Sequence, residues 1–145
     1  GIPFMKRAWM YVMRGEVIVT SAISVVGVDD PAIAEAQGST PHNPMLLLSR
    51  MPQDRFIILL KHQPDIQPES IGLFDLQLSG HTHGGQIWPA GYMVELAYGA
   101  PQAELTMLES PLGKSWYYCS NGTGFSRLPL RFLTPPEIVV IDLIR

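Results

Sequence analysis

The run Phe56-Ile57-Ile58-Leu59-Leu60, entered at Arg55 and left at Lys61-His62, constrains the fold more than any other stretch. Consecutive apolar residues without alternation predict a strand buried on both faces, as in a parallel sheet with helices on each side. Gln63-Pro64-Asp65 then turns the chain, because the residue before a proline avoids the helical region. Roughly a dozen residues separate His62 from the next strand-like run, Phe74 to Leu78, which is enough for the crossover that a parallel pair needs. The chain therefore reads as α/β, a single domain over residues 1–145.

That second strand leads into Leu78-Ser79-Gly80-His81-Thr82-His83-Gly84-Gly85-Gln86. In an extended chain, residues i and i+2 point to the same side, so His81 and His83 are expected to reach into one cavity. Gly80 and Gly84 permit close backbone approach to a ligand. Imidazole is the commonest metal ligand, and ligands of open α/β sheets bind outside the carboxyl ends of the strands. Two core strands delivering His62, His81 and His83 to one crevice predict a metal site. The alternative is a glycine-rich turn that carries histidines without a ligand.

Elsewhere the pattern is more ordinary. Lys6 to Arg14 predicts a short helix stopped by Gly15, with Trp9, Met10 and Met13 on its apolar face. Val17 to Thr20 and Ile23 to Val28 predict paired strands. Asp29-Asp30-Pro31 could supply metal ligands, but fits better as an N-cap with proline at the first position of a helix over Ala32 to Gln37. Asn43 is expected to cap a helix over Pro44 to Arg50, and His42 is read as a solvated loop residue. Ile87 to Pro101, rich in glycine, proline and aromatics, predicts irregular loop or a short hairpin. Leu105 to Leu108, Trp116 to Ser120 and Ile138 to Ile144 predict further strands. Asn121-Gly122-Thr123-Gly124 predicts a tight turn. Arg127 and Arg131 could clamp phosphate or serve structure.

Charge excludes one class of partner. The net charge of −3, with charged residues at 16% against 46% hydrophobic, gives no basic field for nucleic acid. The lone Cys119 forms no internal disulfide and is read as a small buried hydrophobe. No apolar run reaches the ~18–20 residues that span a bilayer, and no signal peptide is visible. The chain opens Gly-Ile-Pro-Phe without methionine, which is expected of a piece of a longer protein.

Taken together, His62-Gln63-Pro64-Asp65, the Gly-His-Thr-His-Gly-Gly-Gln segment, Ser120-Asn121-Gly122-Thr123-Gly124, and Pro129-Leu130-Arg131-Phe132 before Pro136-Glu137-Ile138 closely resemble the calcineurin-like metallophosphoesterases. Within them the likeness is to the bacterial, often membrane-anchored branch, and it runs from about Val17 onward. The resemblance implies a β-sandwich of two mixed sheets flanked by helices. It also implies hydrolysis of phosphate esters by water activated between two divalent ions, Mn, Fe or Zn. His62 and His81 would hold one ion and His83 the other, with Gly80, Gly84 and Arg131 near the substrate.

The family's Asp-x-His, Gly-Asp and Gly-Asn-His motifs do not occur in this sequence. The likeness is thus to the C-terminal half of such a domain, with the N-terminal half missing and no catalytic acid or base within it. Asp29 and Asp30 are not among the implied ligands. The parent is expected to be a cytoplasmic or membrane-associated hydrolase acting on ester bonds, any membrane contact coming through a segment absent here. The alternative is an incompetent fragment that binds at most one ion and self-associates through exposed faces and edges.

Overall fold

The structure, a computed structural model, describes residues 2–144. Its centre is one six-stranded sheet in the order β1-β2-β3-β4-β6-β5. The strands are β1 (Glu16–Val19), β2 (Ile23–Gly27), β3 (Phe56–Leu60), β4 (Leu76–Ser79), β5 (Thr106–Ser110) and β6 (Gly113–Cys119). The four inner strands β2, β3, β4 and β6 run parallel, while β1 and β5 close the edges antiparallel. The sheet is therefore mixed. It is also the one sheet formed by the described residues, so a second layer of a sandwich is not drawn from them.

Register explains which residues meet. Ser24 pairs with Ile57 and Val26 with Leu59, so these side chains share one face. On that face Val26, Ile57, Leu59 and Phe74 pack with Leu48 from the helix α3 (Pro44–Leu48). Ile57 and Leu59 are each 1% exposed, but Leu60 on the opposite face is 38% exposed. Burial of β3 on both faces is thus corrected to burial on one. Ile18, Leu60, Met107 and Trp116 share the other face by register, and all remain partly open.

Local chemistry sets most element boundaries. Thr20 Oγ1 bonds both the amide and the carbonyl of Ile23, closing the β1–β2 hairpin. Asp30 caps the helix α2 (Pro31–Ala36) by accepting from Ala32 N at 2.8 Å, with Pro31 at the first position. Asn43 does the same for α3, accepting from Met45 N at 3.0 Å. A 3₁₀ turn over Pro68–Ser70 lies in the crossover from β3 to β4.

Three expectations are corrected. The first helix, α1, spans Ile2–Arg7 rather than Lys6 to Arg14. Trp9 sits at φ 59° and is 97% exposed, so the intended apolar stripe finds no core to pack against. The segment expected to be loop or hairpin forms the helix α4 (Ala90–Tyr98), which ends where Gly99 turns left-handed at φ 64°. Ile138 to Ile144 forms no strand and pairs with neither edge of the sheet. Among the described residues, no helix is long and apolar enough to cross a membrane.

Candidate metal centre

Three parallel strands bring three donor residues to one end of the sheet. Asp30 follows the end of β2, His62 the end of β3 and His81 the end of β4. The ladder continues past the strands to fix them, with Val28 N bonded to Leu60 O, Lys61 N to Leu78 O and Gly80 N to His62 O. Ligand atoms of Asp30, His62 and His81 all lie within 4.8 Å of one another. His81 Nδ1 is 3.1 Å from His62 Nε2, and Asp30 Oδ2 is 3.7 Å from the same Nε2.

Asp30 has two duties here. Its Oδ1 accepts from Ala32 N and from Gln63 Nε2 at 3.1 Å, which leaves Oδ2 turned toward the imidazole. The cap reading is therefore right, but it does not remove Asp30 from the site. The sequence left Asp30 open as ligand or cap, and the β2–β3 register brings it to both duties. Asp29 turns away and pairs with Arg14 Nε at 2.9 Å.

His83 stands apart from this group. His81 has φ 74°, His83 has φ 53°, and Thr82 between them is helical. The chain is a turn here, not an extended strand, yet His81 and His83 still line one cavity, while of the two only His81 joins Asp30 and His62. His83 Nδ1 lies 3.3 Å from Arg131 Nη2. A guanidinium only donates, so Nδ1 is the acceptor in this contact. Arg131 also donates to the carbonyls of Asn121 at 2.7 Å, Gly124 at 2.8 Å and Thr134 at 3.2 Å. In this structure its donors are engaged by these backbone carbonyls.

Electrostatics favour neutral imidazole in the cluster. Burial pushes the His62 pKa below its ordinary value, His81 and His83 add to this, and Asp30 opposes it. Next to the site, Lys61 is buried and its Nζ is held by Asp65 Oδ2 at 2.6 Å, so it brings no free cation. Cys119 is fully buried, with Sγ 3.3 Å from Gly80 O, and burial raises its pKa. It supports the turn and is no ligand.

These donors fit one divalent ion. Two nitrogens sharing a four-coordinate ion stand about 3.3 Å apart, given metal–nitrogen distances of ~2.0–2.1 Å. The His62–His81 separation of 3.1 Å is close to that. His83 lies outside this group, with its Nδ1 beside Arg131.

Comparison with known proteins agrees with the chemistry. A protein of Aquifex aeolicus is 31% identical over 144 residues, covering 98% of this chain and 54% of the relative. One from Helicobacter pylori is 35% identical over 146 residues, covering 99% and 38%. YkuE of Bacillus subtilis is 43% identical over 99 residues, covering 66% and 34%. Each is named as an uncharacterized metallophosphoesterase. The chain belongs to the metallophosphoesterase family. No family model and no solved structure matches it. This metallophosphoesterase chain spans about half the length, or less, of the curated relatives it matches. The family name implies use of a divalent metal, and Asp30, His62 and His81 are residues that could hold one.

Proposed function

We propose that this chain forms part of a metal-dependent phosphohydrolase. The observation that carries the reading is the convergence of His62 Nε2, His81 Nδ1 and the Asp30 carboxylate from three adjacent strand ends. A divalent ion there, Mn, Fe or Zn, supplies Lewis-acid polarisation of a phosphoryl oxygen and a nucleophile from water at neutral pH. The chain's own contribution is placement. β3 and β4 hold the two imidazoles in register, and Gln63 and the α2 amide fix one oxygen of Asp30, leaving the other, beside His62 Nε2, as the one that would take the ion. A second ion would take His83 together with ligands supplied by the parent outside residues 1–145, as the resemblance implies. Gly80 is retained as a backbone position beside the substrate.

Replacing His81 with alanine in the parent protein tests this. Mn²⁺-dependent cleavage of bis(p-nitrophenyl) phosphate should fall at least ~100-fold, in line with loss of a metal's contribution, while the fold persists. Full activity in that variant overturns the reading.

For the isolated chain, the donor set favours a second reading: it holds one ion at most and has no turnover. The partly exposed Leu60, Met107 and Trp116 on one sheet face are the basis for expecting self-association. One metal or fewer per chain by elemental analysis, with a mass that rises with concentration in light scattering, is the expected outcome. Two metals per chain overturn the first part, and a monomer at all concentrations overturns the second.

A further inference from the structure

His81 stands on strained backbone. Its φ is 74°, and Thr82 N donates to Gly80 O at 2.9 Å across it. A bond from one residue to the second before it, over a positive φ between them, marks the γ-turn that L residues rarely adopt. Such backbone persists only where its surroundings over-determine it.

The residues on either side of His81 are held from outside the turn. Gly80 N donates to His62 O at 3.0 Å, and Cys119 Sγ at the end of β6 lies 3.3 Å from Gly80 O. On the other side, the Thr82 hydroxyl donates to Gln102 Oε1, 20 residues along the chain. Capping of the 3₁₀ turn over His83–Gly85 uses only the oxygen of Thr82, which accepts from Gly84 N at 3.4 Å. Its proton is left for Gln102. Chemistry fixes how the Gln102 amide is turned. Nε2 faces the carbonyls of Ala100 at 3.0 Å and Pro101 at 3.3 Å, which only accept, so Oε1 is the atom toward Thr82. Cys119 Sγ lies 3.2 Å from the same oxygen, and Ala103 N donates to Cys119 O at 2.8 Å, tying this segment to β6.

We propose that Thr82 and Gln102 are positioning residues for the metal centre: their hydrogen bond holds His81 in the γ-turn that sets Nδ1 3.1 Å from His62 Nε2. The proposal rests on the reading that the His62–His81 cluster holds an ion. Neither Thr82 nor Gln102 belongs to the donor group of Asp30, His62 and His81. Without their bond the turn relaxes toward unstrained backbone, and the imidazole leaves its place beside His62.

The test uses the full-length parent titrated with Co²⁺, whose visible bands report affinity and coordination geometry together. His81→Ala deletes a donor and so marks which ion is read. Thr82→Val removes the hydroxyl at nearly constant shape, and Gln102→Leu removes its acceptor. Each should weaken that ion about tenfold and alter its bands, as loss of a hydrogen bond behind a metal ligand does. The double variant should lose no more than either single one, since both break the same bond. Thr82→Ser keeps the hydroxyl and should bind as wild type does. A merely structural role would lower the urea midpoint of Thr82→Val and Gln102→Leu and leave affinity and bands of the folded protein unchanged. That result overturns the proposal while the metal centre stands, and should Thr82→Val not fold, wild-type affinity in Gln102→Leu overturns it equally. If Co²⁺ binds wild type and His81→Ala alike, or binds neither, the metal centre falls and the positioning role with it.

Discussion

His81 Nδ1 and His62 Nε2 face each other at 3.1 Å, although their strands β3 and β4 are joined by a long crossover. At that distance two protonated rings repel, and one ring can donate only if the other is neutral. His62 is accordingly held below its ordinary pKa, by burial first and by His81 next. Its neutral, metal-ready form therefore persists to lower pH than for a free imidazole at ~6.5. The sign for stability follows. The unfolded chain takes up this proton first, so stability is full above ~6.5 and declines as pH falls toward the depressed folded value. Chemical denaturation of the metal-free chain between pH 7.5 and 5 should show that decline. His62→Gln should flatten it; an identical slope in the variant would remove His62 as its source.

Asp30 separates capping from metal binding. Asparagine caps helices as well as aspartate does, so Asp30→Asn should hold stability within about 0.5 kcal/mol. It loses the negative charge 3.7 Å from His62 Nε2, and Mn²⁺ affinity should drop about tenfold, as for removal of a supporting carboxylate. Asp30→Ala removes the bond to Ala32 N as well and should cost about 1 kcal/mol in urea denaturation. Equal metal affinity in wild type and Asp30→Asn would leave the residue with its cap alone.

The sequence made some of this legible and hid the rest for physical reasons. Phe56 to Leu60 announced a core strand because apolar residues have few other places to go, yet the openness of one face at Leu60 is a matter of what covers the sheet. Asp30-Pro31 and Asn43-Pro44 announced helix starts because capping is local chemistry, decided within three residues. Asp30 could be read locally as cap or ligand, but its approach to His62 follows from the pairing of Gly27 with Leu60, which local sequence does not show. The helix α4 was hidden because Gly91, Pro89 and Gly99 look like loop punctuation, although Gly99 is its stop. Its exposed Tyr92, Met93 and Leu96 also blur the apolar stripe at Ala90, Val94 and Tyr98. Ile138 to Ile144 has strand propensity, but propensity without a partner edge makes no strand. The spacing of His81 and His83 placed both on one cavity, but they reach it from a turn with positive φ rather than from extended backbone.

Arg131 is predicted to matter for stability rather than for phosphate. Its guanidinium ties the carbonyls of Asn121, Gly122, Gly124 and Thr134 to the His83 turn. Charged hydrogen bonds contribute about 1.5–3 kcal/mol singly, but these share one partly exposed group, so Arg131→Ala should destabilise by roughly 2–3 kcal/mol in total. Lysine offers a point charge without the planar fork, and Arg131→Lys should recover less than half of that. Urea midpoints measure both. A variant of wild-type stability that had lost phosphonate binding would return Arg131 to the substrate.

Two glycines that flank the histidines should respond in opposite ways. Gly84 is buried at φ 62°, and a Cβ there would press into Asn121 Oδ1 and Thr134 Cγ2. The left-handed backbone costs an alanine roughly 1–2 kcal/mol and overpacking adds roughly 1–3, so Gly84→Ala should destabilise by about 2–4 kcal/mol. At Gly80 a Cβ would meet nothing within 4 Å, and the backbone is not left-handed. Gly80→Ala should therefore stay within about 0.5 kcal/mol of wild type, as surface changes do. That makes Gly80 the cleaner probe of the site. Should its bare backbone be needed for a ligand to approach His81, the added methyl weakens methylphosphonate binding in the parent at unchanged urea midpoint. Unchanged binding would show that Gly80 is there for the chain's own turn, with no role toward ligand.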